Sequence, residues 1–406
     1  MKVLLVNTWY KKGSTGQLVE SLHSFLLKRG EQSFVAYGRG KKTKEANVFK
    51  FCRTFESKVC SVLSRFTGNQ YGLNFFSTRK LIRIIKKIKP DVINVHFIGS
   101  FVLNNYRFLK YLKKINIPTL VTLHEEHLFT GNCTHSCECR LWESGQCKNC
   151  PRFRQANRTI FFNRTNRNWK MMKKALEPRN ALRYVCVSEW LYSRASRSEI
   201  LRNIDGCVVN NGINTDIFHY TDSDNYKGEI KREKTIFFSS PYFSPDNEMK
   251  GCNYFLDICR QTEKENFVFL VSGANKKNFD FSKIPNIKYL GNLAPNEMAE
   301  YYRYADLTLL LSKRETFSMV TAESLCCGTP VIGFRCGAAE QIDRCNYNHF
   351  VNYGDIAAVI KLISDFDRTK VDKREISRQS IAYLDIKNMQ NMYYKEFKKL
   401  NEIMRK

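Results

Sequence analysis

Two carboxylates eight positions apart, Glu315 and Glu323, stand in the stretch LTLLLSKRETFSMVTAESLCCGTPVIGFRCGAAEQ at residues 307–341. An apolar run at 307–311 ends in a polar loop that carries Glu315. A short helical segment carries Glu323, and Gly328-Thr329-Pro330 leads into a second apolar run at 331–334. Thr316 or Ser318 can cap the helix, and Gly328 suits the left-handed position at its end, ahead of Pro330. In an open parallel sheet ligands sit beyond the carboxyl ends of the strands, which is where 313–318 falls. The backbone N–H groups of Phe317, Ser318, Met319 and Val320 would carry partial positive charge into that space, which suits a diphosphate. Glu315, ahead of the helix, is placed to meet a sugar. Glu323, about one and a half turns in, is placed to accept from a ribose diol. The competing reading makes both glutamates surface residues favoured near a helix start by its dipole.

These residues need a scaffold, and the chain supplies one. Its 406 residues suit two domains of about 150–200 residues each. Strand-like runs at 3–6, 33–37, 91–96, 119–123 and 182–187 alternate with helical periodicity at 15–28, 78–89 and 106–115. The stretch between residues 38 and 77 is less regular, and residues 155–174 are strongly basic. After a polar stretch at 220–234, the expected linker, a second series follows. It has strands at 235–239, 267–271, 287–290, 307–311 and 331–334, helices near 251–261 and 296–304, and a closing basic-aromatic helix at 386–404. Alternating β and α segments of this size imply parallel sheets wrapped by helices.

Charge is divided unevenly along this scaffold. The net charge is +27, and residues 1–200 hold 37 basic and 12 acidic side chains (+25), leaving 29 and 27 (+2) for residues 201–406. A basic half implies something anionic facing it, nucleic acid, phospholipid headgroups or a phosphorylated substrate, and the alternative is a solvated surface. No apolar run approaches the ~18 residues of a membrane span. The first apolar run stops at Val6 with no small-residue cleavage pattern behind it, so it reads as a buried strand, and the chain is expected to stay in the cytoplasm.

Glu315, Glu323, the Gly328-Thr329-Pro330-Val331-Ile332 run and Gly337-Ala338-Ala339-Glu340 together resemble the signature of retaining GT-B glycosyltransferases of the large GT4 family, and Ala305-Asp306 opens it. Further matches lie along the chain in the family's order. Gly13-Ser14-Thr15-Gly16 resembles its N-terminal glycine loop. Pro90-Asp91-Val92-Ile93-Asn94-Val95-His96 and Val121-Thr122-Leu123-His124 resemble its two His-bearing strand ends. Val187-Ser188 and Asn211-Gly212-Ile213-Asn214 match its interdomain stretch, and Lys250-Gly251 its diphosphate lysine.

The resemblance implies an α/β GT-B fold, two Rossmann-like domains whose parallel sheets face across a cleft. The acceptor-binding domain would span residues 1–205 with a Cys-rich insertion at 131–151, the nucleotide-sugar-binding domain 206–385, and a C-terminal helix at 386–406 would cross back to the first domain. It implies Glu315, His124 and Lys250 as the catalytic set: Lys250 on the donor diphosphate, Glu315 on the donor sugar, His124 on the acceptor side. It implies Glu323 on the ribose, with Phe317, Ser318, Met319, Val320 and Gly16 in the donor-binding set, Gly16 letting the acceptor-side backbone approach closely. No metal or other cofactor is required for catalysis on this reading. The chain departs from the pattern where an arginine is usual before the diphosphate lysine, since Ser239-Ser240-Pro241-Tyr242 stands there, and Thr-Phe-Ser follows Glu315 where Gly-Phe-Gly is common.

Fifteen cysteines are present, mostly in apolar segments as reduced core thiols. The exception is a cluster in which Cys147 and Cys150 have chelating spacing and Cys133 and Cys139 lie a short loop away, a ligand set suited to a structural zinc. Cys137 and His135 are additional candidate ligands, and a loop of free thiols is the alternative. A bacterial subgroup of these transferases, associated with capsule and exopolysaccharide assembly, resembles the chain in this insertion. The partners then implied are a nucleotide-diphosphate sugar, a saccharide or polyprenyl-diphosphate-linked acceptor, and an anionic membrane surface on the inner face, with no nucleic acid. The helix at 78–89 interleaves six cations with Leu81, Ile82, Ile84, Ile85 and Ile88 and could rest on lipid headgroups or pack on the core. Two rival classes are a nucleic-acid-binding protein with a zinc loop and a GT-B sugar-nucleotide epimerase.

Overall fold

The computed structural model describes residues 1–99, 101–145, 147–148, 150–156, 159–222, 233–344 and 346–403. The chain divides into two units, Met1–Asn210 together with Met389–Lys406, and Asn211–Asn388. The division falls between Asn210 and Asn211 rather than in the polar stretch at 220–234, of which residues 223–232 lie outside the described residues.

The first unit runs β1 (Lys2–Asn7), α1 (Gly13–Lys28), β2 (Gln32–Tyr37), β3 (Val48–Lys50), α2 (Thr54–Thr67), α3 (Phe75–Ile88), β4 (Val92–Val95) and α4 (Asn105–Lys114). It continues through β5 (Thr119–Leu123), α5 (His127–Thr130), α6 (Phe153–Ala156), α7 (Thr165–Ala175), β6 (Leu182–Cys186), α8 (Glu189–Ala195) and β7 (Gly206–Val208). All seven strands are parallel, in the order β3-β2-β1-β4-β5-β6-β7. Val3, Leu4, Leu5 and Val6 are fully buried. With both faces of β1 covered, its sequence is an unbroken apolar run instead of an alternating one.

The second unit runs β8 (Lys234–Phe243), α9 (Cys252–Gln261), β9 (Phe267–Asn275), β10 (Ile287–Gly291), α10 (Pro295–Tyr304), β11 (Leu307–Leu310) and α11 (Met319–Cys326). Then come β12 (Val331–Phe334), α12 (Ala339–Ile342), β13 (His349–Val351), α13 (Ile356–Asp365) and α14 (Lys373–Leu384). Its six strands are parallel, in the order β10-β9-β8-β11-β12-β13. Ile236, Phe238, Leu307, Leu309 and Ile332 of the central strands share one core with Phe255 of α9 and Val359 and Ile363 of α13. The closing helix, α15 (Ile386–Ile403), packs most of its length on the first unit: Gln390 donates to Ser21 at 2.7 Å and the Tyr394 hydroxyl to Glu31 at 2.7 Å.

Two local expectations change. Gly13-Ser14-Thr15-Gly16 is the first turn of α1 rather than a loop, with Gly13 at φ +68°. The stretch between 38 and 77 holds β3 and α2, and α3 begins at Phe75, a few residues early. The apolar residues of α3 follow the core-packed reading: Leu81, Ile85 and Ile88 are buried while Arg79, Lys80, Arg83, Lys86 and Lys87 are exposed.

Candidate active site

Strand order reverses between β8 and β11 in the second unit, and the carboxyl ends of the strands at such a switch point are where open α/β sheets hold ligands. Lys250 lies in the turn between β8 and α9, and Glu315 in the loop after β11. Their side chains meet, Lys250 Nζ standing 2.6 Å from Glu315 Oε1. Burial works against the Lys250 ammonium, but Glu315, and behind it Cys336 and Tyr242, outweigh that and raise its pKa. Lys250 is therefore a cation at every physiological pH.

Backbone contacts fix both partners. The Lys313 N–H donates to Met249 O at 3.1 Å. Gly251, at φ +68°, lets the lysine turn close on the end of β11, because an added Cβ would stand 2.1 Å from Leu311 O. Glu315 N–H donates to Cys336 O at 2.8 Å, and Ala338 N–H donates back to Glu315 O at 3.0 Å, an isolated bridge between Glu315 and Gly337. The Gly337-Ala338-Ala339-Glu340 motif thus serves to hold the Glu315 loop.

Ser318, and not Thr316, caps α11, its Oγ accepting from Thr321 N–H at 3.2 Å. Phe317 and Ser318 are buried, and Met319 and Val320 are half-buried in the first turn, where helix N–H groups lack intrahelical acceptors. Gly328 takes the left-handed position past the helix end, at φ +85°. Thr329 Oγ1 donates to Tyr302 O at 2.6 Å and ties that turn to α10. Glu323 is half-buried as a residue, yet its carboxyl group is set so deep that burial pushes its pKa up to about 8, opposed in part by a hydrogen bond from the Tyr302 hydroxyl at 3.4 Å. Nothing in the sequence pattern singled out Tyr302, which sits one helix away.

The Ser239-Ser240-Pro241-Tyr242 segment lies within the extended β8, where the register with β9 shifts between Ser239 and Tyr242. Ser240 Oγ donates to Tyr242 O at 2.8 Å. Lys276, just past β9, places its ammonium 4.0 Å from the centre of the Tyr242 ring. Tyr242 thus adjoins Lys276 and contributes to the electrostatics of Lys250, so a second cation neighbours the place where an arginine was expected.

In the first unit the switch point lies between β1 and β4. His96 follows β4 and His124 follows β5, and their rings stack at 5.4 Å with His96 Nδ1 3.1 Å from His124 Nε2. Burial pulls His124 down to about 4, and burial followed by repulsion from His124 pulls His96 well below the ordinary histidine value. Both rings are neutral near pH 7. Gly16 is buried in α1, where an added Cβ would stand 3.3 Å from Trp9 Cβ, so packing of the Trp9 turn accounts for the glycine.

The cysteine loop brings its thiols within electrostatic reach of one another. Cys133 is raised by burial first and then by Cys150, Cys147 and Cys139, and Cys147 is pushed up to about 12 by burial, Cys139 and Cys150. Four thiols are suitable donors for zinc. Among the described residues no group of three or more His, Cys, Asp or Glu side chains is arranged to hold a metal ion.

Residues 15–217 match the family described as Glycosyltransferase Family 4, and residues 233–366 match Glycosyl transferases group 1. A 41.2 kDa protein in the cps region of Klebsiella pneumoniae is 24% identical over 180 residues, 42% of this chain and 49% of that protein. The chain spans less than half the length of the first curated relatives it matches, 44% and 49%. Among solved structures, the sucrose-phosphate synthase of Thermosynechococcus elongatus aligns with a TM-score of 0.71 at 12% identity, over 98% of this chain and 99% of that one. Anabaena HepE in complex with UDP-glucose aligns with a TM-score of 0.64 at 15% identity, over 98% and 100%. At such identities the likeness is one of fold, and the fold is GT-B.

Proposed function

Because the chain belongs to Glycosyltransferase Family 4, we propose that this glycosyltransferase is a retaining enzyme acting on a nucleotide-diphosphate sugar and a saccharide or lipid-linked saccharide acceptor in surface polysaccharide assembly. The observation that carries the reading is the Lys250–Glu315 pair at the β8/β11 switch point, beside the N-terminus of α11. The relative in a cps region supports the polysaccharide setting, and HepE with its UDP-glucose supports the donor class.

In the proposed reaction the bond between the sugar's anomeric carbon and the diphosphate oxygen breaks. The acceptor hydroxyl oxygen bonds to that carbon on the same face, and its proton passes to the departing phosphate oxygen. Nucleoside diphosphate and glycoside are the products, so no protein general base is needed. Lys250 and the first amides of α11 stabilise charge on the leaving diphosphate, the electrostatic contribution that usually dominates such catalysis. Lys276 beside Tyr242 supplies the second cation in place of the arginine. Glu323 accepts from the ribose, Glu315 contacts the sugar, and neutral His124 lines the acceptor side. A structural zinc on Cys133, Cys139, Cys147 and Cys150 belongs to the proposal as well. Four thiols already within reach would be drawn together as metal binding removes their protons.

The test is nucleotide release from a donor sugar with and without saccharide acceptor. Acceptor-dependent release fits the proposal, and turnover of the sugar without acceptor would move the reading to an epimerase.

A further inference from the structure

The helix α2 is built inside out. Its buried residues are Ser57, Cys60 and Ser64, while Phe55, Val59, Val62 and Phe66, at helical spacing, form an exposed apolar stripe with Phe55 78% and Val62 55% exposed. Surface helices of globular proteins turn their apolar stripe inward, so this face is built for an occupant.

Neighbouring segments of the same unit enlarge the stripe. Glu56 accepts from the Phe76 and Ser77 N–H groups at 3.1 Å and so binds the start of α3, where Phe76 is 80% exposed, to the start of α2. At the other end Ile160 N–H donates to Arg65 O at 2.8 Å, and the exposed Phe161 stacks on Phe66 with ring centres 6.1 Å apart. Gly68 allows this approach, since a Cβ there would stand 2.6 Å from Phe162 O. Exposed apolar patches of this extent mark interaction surfaces.

Charge identifies the occupant. Between Arg53 and Lys89 the chain has nine Lys and Arg and a single carboxylate, Glu56, which is engaged at the start of α3. Lys80 registers the crowding: its pKa is lowered by burial first and then by repulsion from Arg53, Lys42 and Lys50. An isologous contact with a second copy would set these cations against themselves. A nucleic acid offers bases that stack on Phe but no apolar depth for Val59 and Val62. A surface with apolar depth beneath negative headgroups satisfies both features, in the manner of an interfacial helix.

We propose that α2, with the start of α3 and the segment at 160–162, lies in the interface of an anionic lipid bilayer. This deepens the proposed function, resting on its lipid-linked acceptor, and places the contact on α2 instead of the α3 face, one of two readings the sequence left open for that helix. Among the described residues no helix is long and apolar enough to cross a membrane.

The experiment is co-sedimentation of the full chain with vesicles of phosphatidylcholine alone or mixed with phosphatidylglycerol, using wild type, the double variant F55S/V62E and, separately, V59D. Folding is checked by circular dichroism, and nucleotide-sugar thermal shift is read on the same samples. Wild type should pellet with the mixed vesicles only, and each variant should bind them about tenfold more weakly or worse, with donor shift unchanged. Equal pelleting of wild type and folded variants, or no preference of wild type for the anionic vesicles, overturns the proposal. So does a wild-type dimer that V59D dissociates without vesicle binding, which would give the face to a second copy. Failure of the donor shift with vesicle binding intact would count against the enzyme reading instead.

Discussion

Lys250 Nζ lies 2.6 Å from Glu315 Oε1, so the cation assigned to the donor's diphosphate already has an anionic partner inside the protein. A donor must exchange that partner for its own phosphates, and the two variants then behave differently. K250A should lower transfer about a hundredfold, a loss of roughly 2.7 kcal/mol in the barrier, and weaken donor binding. E315Q should lower transfer about as far while binding nucleoside diphosphate at least as tightly as wild type, because Lys250 no longer has a competing carboxylate. Steady-state rates and calorimetric affinities check both. Equal weakening of nucleotide binding in the two variants would contradict the exchange.

Glu323 should impose a pH dependence on stability. Its pKa is raised by burial to about 8, so between the ordinary carboxylate value and about 8 the folded protein holds a proton that the unfolded chain has lost. Stability from this group is fully present below the unfolded value and is lost as pH rises through about 8. E323Q removes the effect. Its Tm should match wild type near pH 4.5 and exceed it by at least about 3 °C at pH 8.5, read by differential scanning fluorimetry.

Gly251 is the hinge of the lysine turn. G251A forces a side chain into a left-handed conformation and against Leu311 O, so it should destabilise the protein by about 2–4 kcal/mol. Chemical denaturation measures the loss. A change under about 0.5 kcal/mol, the range of neutral surface substitutions, would mean the turn relaxes freely.

For the cysteine loop, protein purified without chelator should carry about one zinc per chain, lost in C147S/C150S. Metal analysis decides it, and metal-free folded wild type rejects the site.

The alternation of the strands was legible because parallel strands buried on both faces produce unbroken runs such as residues 3–6 and 331–334. The glutamates were legible as types and spacings, and Lys250 through the family resemblance. Their union was not, because the Glu315–Gly337 bridge and the Gly251–Leu311 contact join loops that follow different strands. Tyr302 escaped for the same reason. The helix α2 was missed because Ser57, Cys60 and Ser64 face inward, so the pattern that marks a core-facing helix is inverted there.

The central claim is that Lys250, Glu315 and Glu323 form a nucleotide-sugar site. The most direct measurement is thermal shift of wild type, K250A and E323Q against a panel of nucleotide-diphosphate sugars, since a ligand that binds the folded state raises its apparent stability. The account predicts that at least one donor raises the wild-type Tm by about 3 °C or more and that both variants lose most of that shift. A donor that shifts all three proteins equally, or a panel in which none shifts the wild type, would contradict it.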